Sequence, residues 1–127
     1  MPSRPSILYI EDDASIAEMY VLGLGRAGFD LTTAGDWPSG RLLLGRRSFD
    51  LVLLDMMLPG TSGLDALEEI RADPALSHLR VAILSNADLT PVLHERAISL
   101  GILGWLTKSR CPPPLVARTV RRWLANG

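Results

Sequence analysis

The chain has 127 residues, 47% of them hydrophobic and 21% charged, which suits one globular domain that buries its own core without staples. A formal net charge of −1 supplies no field to draw nucleic acid or an anionic membrane. The single cysteine, Cys111, excludes an intramolecular disulfide, fits a reducing compartment and reads as a small apolar filler.

Behind Met1-Pro2-Ser3-Arg4-Pro5-Ser6 comes only a four-residue apolar run, too short for a signal-peptide core. No stretch approaches membrane-spanning length, so a cytoplasmic protein without membrane contact is expected. That run, Ile7-Leu8-Tyr9-Ile10, reads as a strand covered on both faces. Glu11-Asp12-Asp13 follow directly, and Asp13 reads as a helix cap, with Ser15 and Glu18 as a rival capping box. Ile16, Tyr20, Gly23 or Leu24, and Ala27 then recur at helical spacing, with Met19 and Leu22 widening the apolar stripe and Gly28 as the stop. Gly23 and Gly25 weaken this helix by propensity, and close packing against a neighbour is the expected reason for them.

Residues 29–33 make a weaker, β-branched strand, and residues 37–46 a helix with Leu42, Leu43 and Leu44 inward and Arg41, Arg46 and Arg47 outward. Leu51-Val52-Leu53-Leu54 is a third buried strand; it delivers Asp55 to the rim of a sheet, and Pro59-Gly60 open a loop beyond. Ser62 with Asp65 caps a helix carrying Leu64, Leu67 and Ile70, which Asp73-Pro74 ends. Val81-Ala82-Ile83-Leu84 is a fourth strand with Ser85 at its end, and Thr90-Pro91 start a helix through Leu93, Ala97 and Leu100 to Gly101. Residues 102–106 form the fifth strand, leaving through Thr107-Lys108. Pro112, Pro113 and Pro114 read as a stiff helix start rather than a ligand for a proline-binding module. In that last helix Val116, Val120, Trp123 and Leu124 face inward, and Arg118, Arg121 and Arg122 outward.

Five β-α units in strict alternation predict an α/β fold, a parallel sheet wound with helices on both faces. Ligands of such sheets bind beyond the carboxyl ends of the strands. The residues there are Glu11-Asp12, Asp55, Ser85 and Lys108. Carboxylates packed this closely need a neutralising partner, or one must stay protonated; the economical answer is a hard divalent cation, and Mg²⁺ suits a few oxygen ligands completed by water. A cation beside a free carboxylate, a lysine and a hydroxyl is a phosphoryl-transfer site.

With these marks in order, the chain resembles the receiver domain of two-component response regulators. The resemblance rests on Tyr9-Ile10-Glu11-Asp12-Asp13, on Asp55-Met56-Met57-Leu58-Pro59-Gly60 with Gly63, on Ser85, and on Trp105-Leu106-Thr107-Lys108. It implies a flavodoxin-like sheet of order 2-1-3-4-5 and one receiver domain over residues 1–127, its core about 7–124. Asp55 would be the nucleophile that takes a phosphoryl group from a phosphohistidine, giving 4-aspartylphosphate. Glu11, Asp12, Asp55 and the carbonyl of Met57 would hold Mg²⁺. Lys108 would pair with the phosphoryl oxygens, Ser85 would hydrogen-bond them, and Trp105 would be the aromatic whose burial follows. The implied partners are a sensor histidine kinase or a histidine phosphotransfer protein, and a downstream protein on the fourth helix, fifth strand and fifth helix, where His94, Glu95, Arg118, Arg121 and Arg122 stand. A homodimer formed on phosphorylation is a further expectation. Apart from self-catalysed phosphotransfer and dephosphorylation, no enzyme activity is expected.

Two residues, Ser109 and Asn86, depart from the family pattern. Lys108-Ser109 replaces the usual Lys-Pro with its cis peptide; a non-prolyl cis bond costs roughly 3 kcal/mol, so a trans bond is expected. Asn86 stands where a small residue is general, and either narrows access to Asp55 or hydrogen-bonds near the phosphate. Met57 and Ala87 flank the site without polar side chains to orient a water, which predicts slow self-dephosphorylation. The competing reading is a pseudo-receiver that binds proteins without phosphorylation. An aspartyl phosphatase is disfavoured because Asp55-Met56-Met57 lacks a second acid, and a flavin-binding protein because three acids follow the first strand. No output domain follows Leu124, so a stand-alone receiver or a piece of a longer protein is expected.

Overall fold

The computed structural model describes residues 4–86 and 90–125. Five strands, β1 (Ser6–Ile10), β2 (Asp30–Ala34), β3 (Leu51–Leu54), β4 (Val81–Ser85) and β5 (Trp105–Thr107), alternate with helices α1 (Ala14–Arg26), α2 (Trp37–Arg46), α3 (Gly63–Ala72), α4 (Pro91–Ser99) and α5 (Pro113–Ala125). All pairings are parallel, in the order β2-β1-β3-β4-β5.

The continuous apolar runs exist because both sheet faces are covered. Ile7, Tyr9, Leu51, Leu53, Ala82 and Leu84 pack with Tyr20 and Leu24 of α1 and Val116 and Val120 of α5. Their alternates Leu8, Ile10, Val52, Leu54, Val81 and Ile83 pack with Leu44, Leu67, Ile70 and Ala97 of α2, α3 and α4. Each wholly buried Leu, Ile or Val side chain contributes about 2 kcal/mol. Asp13, Asp36, Ser62 and Thr90 cap α1 to α4, each accepting from the backbone N–H three residues on. Asp13 therefore caps α1, and the Ser15–Glu18 box does not. Among the described residues no helix is long and apolar enough to cross a membrane.

Several local expectations need correction. Met19 and Leu22 are 46% and 53% exposed and do not widen the buried stripe of α1. They line a groove between α1 and α5 together with Arg118 and Arg121. Arg121 is not a free outward charge, because it donates to the Ala27 carbonyl at 2.6 Å and lies over the Phe29 ring. Leu42 is 56% exposed; successive helical residues diverge by about 100°, so three adjacent leucines cannot share an inner face. A side chain at Gly23 would meet Pro113 at 2.2 Å, as close packing requires, but Gly25 faces open space. Phe29 lies outside β2, because its N–H closes the end of α1 on the Leu24 carbonyl. The fifth strand starts at Trp105, not Ile102: Gly101 turns at φ +75°, and Gly104 lies beneath the Trp123 ring. The α4 helix ends at Ser99, with Ala97 its one fully buried residue, and α5 opens at Pro113 with Pro112 before it.

Candidate functional site

Register brings the acids together. Ile10 pairs with Leu54, so Glu11 and Asp55 leave neighbouring strands side by side. Ser85 pairs with Thr107, so Lys108 emerges beside the end of β4. Backbone bonds hold the exits: Asp55 N–H donates to the Ile10 carbonyl at 3.1 Å, and Glu11 N–H to that of Ala34 at 2.9 Å. Behind Asp55 the chain returns at Gly63, where any Cβ would fall 2.2 Å from the Asp55 carbonyl oxygen. Only glycine lets the start of α3 press this close.

Glu11, Asp12 and Asp55 each offer a carboxylate oxygen within 4.8 Å of the others. Glu11 and Asp55 are buried, whereas Asp12 is open to solvent. The Lys108 ammonium donates to Asp55 Oδ2 at 2.6 Å and also to Glu11 Oε1. Asp55 Oδ1 accepts from Ser85 Oγ at 2.6 Å and from the Met57 N–H at 3.0 Å. Ser85 Oγ in turn accepts from the Met56 N–H at 3.3 Å.

These contacts divide the protons. Burial pushes the Glu11 carboxyl up to about 7, and its hydrogen bond to Asp55 adds to this while Lys108 opposes it. Burial also works against charge on Asp55, but hydrogen bonds from Glu11, Lys108, Met57 N–H and Ser85 outweigh it and hold that carboxyl below its usual range. Lys108 is raised: burial opposes its charge, and the two carboxylates override burial. The two buried carboxyls are thus pushed in opposite directions, Asp55 toward the anion and Glu11 toward holding a proton. The donor set is all hard oxygen, with one acid open to solvent, and it fits Mg²⁺, whose charge would favour the ionised form of both buried acids.

Met57 reaches the site through its N–H, and the residue as a whole is 68% exposed; a role for its carbonyl rests on the resemblance alone. Trp105 packs against the core on the side of α2, α3 and α4, with a buried indole N–H that meets no acceptor among the described residues. The Lys108–Ser109 peptide is trans, as expected. Asn86 does hydrogen-bond beside the site, accepting from the Ser109 N–H at 2.9 Å. Ala87 lies outside the described residues. The sequence reading missed Tyr9, whose hydroxyl donates to Glu11 Oε1 at 3.3 Å. Burial first, then the Glu11 charge, push that phenol up, so it stays a donor. A lone phenol in an aliphatic strand, which must find a partner once buried, was the available signal.

Residues 7–119 match the response regulator receiver domain. The chain belongs to this family. It is 34% identical over 122 residues to the sensory transduction protein RegX3 of Mycolicibacterium smegmatis, covering 96% of this chain and 51% of that protein. It is 35% identical over 123 residues to the DNA-binding response regulator MtrA of Mycobacterium tuberculosis H37Rv, covering 97% and 52%. The chain thus spans about half the length of these relatives. A CheY-like receiver domain protein of Methanospirillum hungatei shares the fold, with a TM-score of 0.88 at 18% identity over 98% of this chain and 96% of that one.

Proposed function

We propose that this receiver domain is a phosphorylation-operated switch with Asp55 as its acceptor. The observation that carries the reading is a buried carboxylate kept anionic beneath Lys108, with Glu11 and Asp12 within ligand reach of it. An Asp55 oxygen attacks the phosphorus of a phosphohistidine on a sensor histidine kinase or a histidine phosphotransfer protein. The new P–O bond forms as the P–N bond breaks, and the donor imidazole keeps the electron pair and takes up a proton. Lys108, already salt-bridged to Asp55, follows the charge onto the phosphoryl oxygens. Ser85 gives up its bond to Asp55 Oδ1 and donates to the phosphoryl group instead. Mg²⁺, held by Glu11, Asp12, Asp55 and the Met57 carbonyl, would supply positive charge against the phosphoryl oxygens.

The domain's own chemistry ends with uptake and loss of that group, and its output is protein contact through α4, β5 and α5, where His94, Glu95 and Arg122 stand, including a homodimer formed on phosphorylation. MtrA is DNA-binding by name; the near-neutral charge of this chain does not make it the half that meets DNA. A cytoplasmic setting suits the proposed donors. Acetyl phosphate with Mg²⁺ should add one phosphoryl group to the wild type and none to Asp55→Ala, read by intact mass. Equal partner capture by both variants, with no labelling of the wild type, would instead establish a phosphorylation-independent binding module.

A further inference from the structure

Ser109 and Asn86 are joined to each other. The Ser109 N–H, which a proline there would lack, donates to Asn86 Oδ1 at 2.9 Å, an oxygen that a small apolar residue would lack. Asn86 follows Ser85, whose hydroxyl lies on Asp55 at 2.6 Å, and Ser109 follows Lys108, whose ammonium lies on the other Asp55 oxygen at 2.6 Å. One side-chain hydrogen bond therefore closes a ring between the exits of β4 and β5, whose side chains grip the same carboxylate.

The turn after Lys108 has a second anchor. Residues Lys108–Arg110 make a single 3₁₀ turn, in which the Cys111 N–H returns to the Lys108 carbonyl at 3.2 Å. The wholly buried Tyr20 donates its hydroxyl to the Cys111 carbonyl at 2.7 Å, fixing the far end of the turn to α1. Its near end, next to Lys108, is tied to the β4 side through Asn86. Lysine has a flexible four-carbon stem, so where its backbone sits decides how much rotamer freedom the ammonium must surrender to reach Asp55.

We infer, on the phosphoryl-accepting reading of Asp55, that Asn86 is a positioning residue which sets Lys108 through the Ser109 N–H and couples its turn to the end of β4 that carries Ser85. The bond is solvent-exposed, so its effect is modest, roughly threefold to tenfold in rate. Asn86→Ala should slow labelling of Asp55 by acetyl phosphate by that factor while the unfolding midpoint stays nearly unchanged. Ser109→Pro removes the donor and leaves Asn86 in place, so Asn86→Ala added to Ser109→Pro should cost nothing further. The same penalty in both backgrounds, or faster labelling of Asn86→Ala through wider access to Asp55, would overturn the coupling. Amide hydrogen exchange at Ser109, without any phosphodonor, should quicken in Asn86→Ala; unchanged exchange would refute the tie itself. If the wild type takes no phosphoryl group at all, the switch reading fails, and the exchange rate still decides whether Asn86 holds the turn.

Discussion

At the end of the sheet where the strands begin, Arg71 of α3 donates to the carbonyls of Leu100 and Leu79 at 2.6 Å, Ser77 at 3.0 Å and Gly101 at 3.3 Å. At the end where the strands stop, Lys108 donates to the carboxylates of Glu11 and Asp55. Both ends hold a cation, but the partners of Arg71 are neutral, belong to the backbone and cannot be exchanged. Those of Lys108 are side chains that can gain a proton, a metal or a phosphoryl group. The first arrangement braces the loops leading into β4 and β5; the second is poised for rearrangement.

Substitutions at the two ends should therefore fail in different ways. Lys108→Ala should slow phosphoryl uptake from acetyl phosphate by about 100-fold, the scale of losing one preorganised charge-stabilising donor. Full-rate uptake would show that Lys108 does not meet the phosphoryl group. Arg71→Met should leave labelling of the folded protein near the wild-type rate but lower its unfolding free energy by about 2 kcal/mol, measured with denaturant, because the carbonyls lose their charged donor. A labelling defect without a stability loss would erase the distinction between the ends. Ser85→Ala removes one donor to the acceptor carboxylate and should cost roughly tenfold in uptake. The smallest change belongs to Met57→Asn: a polar side chain in that exposed position should shorten the phosphoryl lifetime a few-fold by orienting water. An unchanged decay rate would count against the apolar side chain as the cause of a long lifetime.

Glu11 and Asp55 could be read from the amino acids because each follows an apolar run directly, Asp12 and Lys108 lie one residue further on, and the end of a parallel strand is a position that sequence alone marks. The same runs located β1, β3 and β4. Strand order came from resemblance to a family, since alternation fixes parallelism but not neighbours. Met19, Leu22 and Leu42 were misplaced because they flank true core positions on their helices, and hydropathy cannot separate the rim of a stripe from its centre. Arg71 and the Asn86–Ser109 pair were illegible for another reason. Their partners lie in distant loops, and which carbonyl or amide comes within reach depends on register settled only by packing.

Trp105 also gives the molecule a reporter of its own. Its indole N–H is already stripped of water and meets no acceptor among the described residues, whereas that of Trp37 is satisfied by Glu69 at 2.6 Å. Rotation that wets the ring would let Trp105 recover a hydrogen bond, a gain closed to Trp37. Its emission should shift to the red on such a movement, while Trp37, kept as an internal standard in a Trp123→Phe background, holds its colour.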